Sequence, residues 1–126
     1  MTDLQPDSPV EPERARLLIA RHEAVSIDLR GEQASETGHA PGAAIVMDGN
    51  LDEAIDRSRA GEDMPVLVFC EDGKLSGQAA QELAERGIDA APVKGGWDNW
   101  VATGQPVQPR RETEFEGPDL SKQPGT

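Results

Sequence analysis

The alternation of apolar and polar positions predicts short strands separated by helices. The strand candidates are the apolar segments 24–29, 44–46, 66–69 and 88–93. Apolar residues at helical spacing predict one helix beginning at Pro12, one over 51–60, one capped by Ser76 and ended by Gly87, and one over 97–103. Strands that alternate with helices are typical of an α/β domain with a mainly parallel sheet. The uninterrupted apolar run 66–69 predicts a central strand buried on both faces.

Prolines near both ends of the 126-residue chain mark the expected domain boundaries. A chain of this length is enough for one compact domain and too short for two ordinary ones. We expect a flexible N-terminal segment over 1–11, one domain over 12–107, and a polar, flexible C-terminal tail over 108–126.

Charge and cysteine content exclude several classes of protein. The chain has 24 acidic and 12 basic residues and a formal net charge of -12. It therefore lacks the basic footprint of a nucleic-acid binder, and anionic membrane surfaces are disfavoured. The negative charge predicts either a solvated, salt-adapted surface or electrostatic steering of a basic partner.

Cys70 is the only cysteine, so neither an intramolecular disulfide nor a multi-cysteine metal site can form. We therefore expect no metal and no cofactor. No apolar run is long enough to span a membrane, and residues 1–6 lack the basic start and apolar core of a secretory signal. Together with the unpaired thiol, these features predict a cytoplasmic protein.

The segment that carries candidate chemistry begins where the strand 66–69 runs directly into Cys70. Ligands bind at the carboxyl ends of strands in open α/β sheets. A loop containing a glycine can turn successive backbone N–H groups inward, and the following helix N-terminus adds partial positive charge. Such a cradle binds anions and favours a thiolate. The predicted substrate-binding residues are Glu71, Asp72, Gly73, Lys74, Leu75 and Ser76. The alternative is a buried structural cysteine without chemistry.

Three sequence blocks surround this cysteine in order. They are IDLR at 27–30 followed by GHAPGA at 38–43, VFCEDG at 68–73, and GGWDNWVATGQPV at 95–107. Together they resemble the signatures of the rhodanese-like sulfurtransferase family, specifically its small single-domain members. The resemblance covers about residues 25–107.

The resemblance implies a parallel five-stranded sheet flanked by helices, with Cys70 as the nucleophile. Cys70 would take a sulfane sulfur from thiosulfate or a persulfide and pass it to a thiol, cyanide or a protein sulfur carrier. Asp28 and Arg30 end the first strand, where a partly buried ion pair would brace the neighbouring loop. The family places a histidine like His39 in a structural hydrogen-bonding role, which we prefer here to general base catalysis.

The active loop departs from the family pattern in its charge. Glu71 and Asp72 stand where many members carry basic or neutral residues, and Lys74 is the only cation of the loop. Carboxylates repel thiosulfate and oppose thiolate formation. The alternative function is therefore a weak or silent module for protein interaction or sulfur relay. Ser76 occupies the position of the phosphate-binding arginine of related phosphatases, which excludes phosphatase and arsenate reductase activity. A redox sensor is a third alternative, but the chain has no resolving cysteine.

Overall fold

The computed structural model describes residues 4–59 and 63–108. A parallel sheet lies between two layers of helices, as the alternating pattern predicts. The helices are α1 (Pro12–Ala20), α2 (Glu32–Thr37), α3 (Leu51–Arg59), α4 (Ser76–Glu85) and α5 (Gly96–Ala102), and the strands are β1 (Val25–Asp28), β2 (Ala44–Ile45), β3 (Val66–Phe69) and β4 (Ala90–Pro92). None of the helices in the described ranges has the length and apolarity needed to cross a lipid bilayer.

The sheet contains four strands in the described residues, in the order β2-β1-β3-β4, and every neighbouring pair is parallel. The resemblance implied five strands, so that number was wrong. At the free edge of β4, Val10 is the one residue of the described chain that pairs: its N–H donates to the Pro92 carbonyl (2.9 Å) and its carbonyl accepts from the Lys94 N–H (2.8 Å). The next bonds of this pairing would need the N–H groups of residues 12 and 92, which are both prolines, so the bridge does not extend into a fifth strand.

The two faces of the sheet build separate apolar clusters. Leu67 and Phe69 face the layer of α1 and α5, whereas Val66 and Val68 face the layer of α3 and α4. β3 is thus buried on both faces, as its apolar sequence predicts. Leu4 and Val10 also belong to the cluster with α1 and α5. The packed region therefore begins before Pro12, and most of the predicted tail (109–126) lies outside the described residues.

Two local features differ from the sequence expectations. The pattern did not predict α2, whose only buried residue is Ala34. Ser76 was expected to be the N-cap of α4, but Leu75 holds that position and Ser76 is the first helical residue, with no side-chain capping bond. The polar sequence of α2 offers no apolar periodicity, which explains the first difference.

Candidate active site

Cys70 follows β3 directly, at the carboxyl end of the sheet. The neighbouring strand β1 ends at the same edge, because Asp28 is in register with Phe69 and the Leu29 N–H donates to the Phe69 carbonyl (2.8 Å). The end of β1, which carries Asp28 and Arg30, therefore lies beside the beginning of the loop 70–76. This is the edge where ligands bind in open α/β sheets.

The loop 70–76 curls so that two backbone amides point at the cysteine sulfur. The Gly73 N–H donates to Cys70 Sγ at 3.1 Å, and the Ser76 N–H donates at 3.3 Å. Gly73 has φ +92°, a conformation that glycine adopts readily and other residues rarely do. The first turn of α4 begins at Ser76, so the positive end of the helix dipole adds positive potential at the sulfur. The arrangement stabilises negative charge on Sγ.

The same loop covers the sulfur. Cys70 is 2% exposed, so little of its surface faces solvent. The sequence predicted a thiol that is both charged and reachable; the structure directs the two amides at the sulfur but buries the cysteine almost completely.

The beginning of α5 packs directly on the loop. The Trp97 N–H donates to the Cys70 carbonyl (2.7 Å), and the Asp98 N–H donates to the Glu71 carbonyl (3.0 Å). Between them, a Cβ built on Gly96 would lie 2.4 Å from the Cys70 carbonyl oxygen and 2.7 Å from the Gly73 nitrogen. Only a residue without a side chain fits this contact. Gly96 and Asp98 were not predicted as parts of the site, although the paired glycines at 95–96 were a visible signal.

Arg30 joins three parts of the site's surroundings. Its side chain is 3% exposed and forms a bidentate pair with the fully buried Asp28, with contacts of 2.8 and 3.0 Å. It also donates to the Gly38 carbonyl (2.8 Å) at the end of α2, and its guanidinium lies 4.3 Å from the ring centroid of Trp97. Arg30 therefore connects the end of β1 with α2 and with the helix that holds the Cys70 carbonyl.

The His39 side chain does not take part in the hydrogen bonds around the Cys70 sulfur. Its Nδ1 is 2.9 Å from the Ala40 carbonyl oxygen, and its backbone pairs with Gln108. Within the described ranges, the His39 ring makes no hydrogen bond to residues 70–76. The His39 ring therefore contacts the backbone of the next residue and not the loop that surrounds the cysteine.

The mouth of the loop carries exposed charges. Glu71 and Asp72 are exposed, and the Asp72 carboxylate accepts the Lys74 N–H at 3.0 Å. The Lys74 ammonium lies 3.9 Å from the same carboxylate, so the loop's cation is placed to offset one of its two negative charges. Leu75, the next residue, is 62% exposed.

The Ser76 side chain presents an unusual polar group beside the cysteine. The residue is fully buried, its N–H points at Cys70 Sγ, and its hydroxyl makes no hydrogen bond within the described residues. Buried polar groups in proteins normally have a partner. Ser76 Oγ is therefore a donor that remains available at the base of the loop.

A cavity of about 630 Å³ lies at the opposite end of the sheet. Its lining includes Glu23, Pro65 and Asp89, which precede β1, β3 and β4 respectively, and no residue of the loop 70–76. Among the described residues, no three metal-ligating side chains come together. The candidate chemistry is therefore concentrated at the carboxyl end of β3.

The fold and the loop together define an α/β domain with a candidate nucleophilic cysteine at the carboxyl end of a central strand. The family of rhodanese-like domains matches residues 11–103. The chain belongs to the rhodanese-like domain family.

Its relatives include the thiosulfate sulfurtransferase GlpE of Pseudomonas putida strains F1 and KT2440. Each is 36% identical to this chain over 95 residues, covering 75% of this chain and 84% of the relative. A thiosulfate sulfurtransferase from Pseudomonas aeruginosa has the same fold (TM-score 0.71, 23% identity, 86% of this chain and 20% of that chain). So does a rhodanese-like domain from Anabaena (TM-score 0.66, 19% identity, 98% of this chain and 93% of that chain). Family membership and the GlpE relatives support general sulfur transfer.

Proposed function

We propose that this protein is a sulfurtransferase that moves a sulfane sulfur through a persulfide on Cys70. The observation that carries the proposal is the position of Sγ, at the end of a central strand and in contact with the N–H groups of Gly73 and Ser76. Amide donors around a sulfur stabilise the thiolate that acts as the nucleophile. The name of the GlpE relatives makes thiosulfate the first donor to test.

In the first half-reaction, the Cys70 thiolate attacks the outer sulfur of the donor. With thiosulfate, a new S–S bond forms to Cys70, the original S–S bond breaks, and sulfite leaves with its electron pair. No oxidant or reductant is consumed. The two amides that hold Sγ, together with the start of α4, stabilise the attacking thiolate; after the transfer the negative charge lies on the outer sulfur of the persulfide, at the mouth of the same loop.

In the second half-reaction, an acceptor thiolate attacks the outer sulfur of the persulfide. The S–S bond to Cys70 breaks, its electron pair returns to Sγ, and the acceptor leaves as a persulfide. We assign the Ser76 hydroxyl, which is buried and has no partner within the described residues, to donate a hydrogen bond to the transferred sulfur. The two separate steps predict ping-pong kinetics.

The narrow access to Cys70 restricts the proposed reactants. Because the residue is 2% exposed, donors must present a terminal, unbranched sulfur atom. Thiosulfate and hydropersulfides meet this requirement. The proposed compartment is the cytoplasm, where a reducing environment keeps the single thiol free.

A second candidate function is a weakly reactive module that relays sulfur inside a complex. Glu71 and Asp72 favour it, since both are exposed beside the loop and would repel a dianionic donor. We expect the double variant E71Q/D72N to react faster with thiosulfate than the wild type. E85Q is the matched control, because it also removes an exposed carboxylate but lies at the far end of α4. Equal rates in all three proteins would contradict the electrostatic reasoning.

The direct test is the intact mass of the protein after incubation with thiosulfate or a hydropersulfide. We expect a gain of one sulfur atom in the wild type, reversal by a thiol, and no gain in Cys70→Ser. If neither donor adds sulfur while an alkylating reagent still modifies Cys70 in the folded protein, the enzymatic proposal is wrong and the silent module remains.

A further inference from the structure

The mouth of the loop 70–76 has an excess of negative charge. Glu71, Asp72 and Asp98 are exposed there, and Asp98 lies beside Glu71 because its N–H donates to the Glu71 carbonyl at 3.0 Å. Lys74 lies within 3.9 Å of Asp72 and offsets one of these charges. The three carboxylates and one ammonium therefore leave a net negative mouth.

Nearby cations do not remove this excess. The Lys94 ammonium is paired with Glu11 at 3.1 Å, and Arg30 is buried against Asp28. An acidic rim around an anion cradle slows anionic reactants and attracts cationic ones. The persulfide itself is an anion, so an acceptor thiolate needs a nearby positive charge to approach it.

The mouth also carries an apolar surface. Leu75 is 62% exposed between the acidic residues and Ser76. Ser76 follows Leu75 directly, and its buried hydroxyl, which has no partner within the described ranges, leaves an unpaired polar group at the base of the same loop. A small aminothiol would contact the acidic residues but leave Leu75 in water, whereas a polypeptide can contact the acidic residues and Leu75 together.

We propose that the sulfur acceptor is a cysteine thiol on a basic polypeptide segment with an apolar residue next to that cysteine. The proposal rests on the persulfide function of Cys70 proposed above. The acceptor thiolate attacks the outer sulfur of the Cys70 persulfide, Sγ keeps the electron pair of the broken bond, and the polypeptide leaves as the new persulfide. Basic side chains contact Glu71, Asp72 and Asp98, and the apolar residue contacts Leu75.

The test uses the full chain loaded with sulfur by a hydropersulfide and checked by intact mass. The transfer of sulfur from the loaded protein is then followed with three peptides at equal thiolate concentrations. The basic peptide is Ac-Lys-Leu-Cys-Lys-NH2, and both of its lysines are replaced by Gln in the neutral peptide and by Glu in the acidic one. We expect the basic peptide to unload sulfur about tenfold or more faster than the acidic one at low salt, with the neutral one between them. The difference should shrink between about 0.01 M and 1 M salt, because the Debye length falls from about 30 Å to about 3 Å.

Variants locate the effect on the protein. E71Q/D72N/D98N should lose most of the preference for the basic peptide, whereas the control E85Q should keep it. Leu75→Ser should slow the basic peptide about threefold, by removing apolar contact area. Cysteamine, a small cationic thiol, tests whether a polypeptide is needed, and it should accept sulfur more slowly than the basic peptide.

Each outcome decides a separate point. If no persulfide forms at loading, the proposed function fails before the acceptor is tested. If loading succeeds but the three peptides unload sulfur equally, or the acidic one is fastest, the acceptor proposal is overturned and the sulfurtransferase remains. If cysteamine matches the basic peptide and Leu75→Ser has no effect, the acceptor is a small cationic thiol and the polypeptide is overturned.

Discussion

Replacing Gly96 by alanine tests the contact between α5 and the active loop. The added Cβ would lie 2.4 Å from the Cys70 carbonyl oxygen and 2.7 Å from the Gly73 nitrogen, which are both backbone atoms. The loop cannot make room by a side-chain rotation. It must move away from α5, which weakens the hydrogen bond from the Trp97 N–H to the Cys70 carbonyl.

Gly104→Ala is the matched control, because Gly104 also has a positive φ (+75° against +63° for Gly96) but a Cβ added there would have nothing within 4 Å. In both variants the left-handed backbone costs about 1–2 kcal/mol, offset by about 0.4–1 kcal/mol from the unfolded chain. Gly96→Ala also loses the bonds from Trp97 and Asp98, each worth about 0.5–1.5 kcal/mol. It should therefore be about 1–3 kcal/mol less stable than Gly104→Ala.

Urea unfolding measures the stability difference, and intact mass measures the rate of sulfur loading from thiosulfate. Because a small displacement of a reacting atom can cost orders of magnitude in rate, we expect loading of Gly96→Ala to be about tenfold or more slower than that of Gly104→Ala. Equal unfolding midpoints and equal loading rates would show that α5 does not hold the loop. A stability loss without a change in loading would place the contact outside the reactive part of the loop.

Three further predictions concern neighbouring groups. Asp28→Asn leaves the buried Arg30 guanidinium without its counter-charge and should cost about 3–5 kcal/mol in urea unfolding; a loss below about 1 kcal/mol contradicts the buried pair. Ser76→Ala should leave stability within about 0.5 kcal/mol of the wild type, because the hydroxyl makes no bond in the described structure, yet slow the transfer of sulfur from the Cys70 persulfide to an acceptor thiol. An unchanged transfer rate would remove the hydroxyl from the proposed reaction. Arg57 holds the pKa of Glu53 below its ordinary value of 4.5 through a side-chain hydrogen bond. The folded pKa is the lower one, so this stabilisation is present above the ordinary value and is lost as the pH falls through the folded pKa; the small melting-temperature gap between wild type and Glu53→Gln at about pH 7 should therefore narrow as the pH is lowered below 4.5.

Local sequence features predicted the central elements well. The run Val66–Phe69 predicts β3 with the bounds that the structure shows, and a helix follows at Ser76. A continuous apolar run and a glycine-containing turn act over a few residues, so their structural effect can be read without the rest of the chain. The amide cradle around Cys70 could be predicted for the same reason.

The features that the sequence analysis missed depend on contacts outside the segment concerned. α2 has one buried residue, and its end is held by the Arg30 side chain, which donates to Thr37 Oγ1 and the Gly38 carbonyl. Its six residues are short for an isolated helix, so tertiary contacts stabilise it. The single bridge at Val10 was likewise not predicted, because it pairs the N-terminal segment with Val93, which is far away in the sequence.

The amino-acid sequence alone determined that a buried strand ends in Cys70 and that a glycine loop and a helix start follow, because these features depend on neighbours along the chain. Only the tertiary structure decided that Gly96 closes against the Cys70 carbonyl, that Asp98 joins Glu71 at the mouth, and that the sulfur is almost completely covered. These contacts join segments that are distant in sequence. Packing of α5 on the sheet brings them together, and no local pattern encodes that distance.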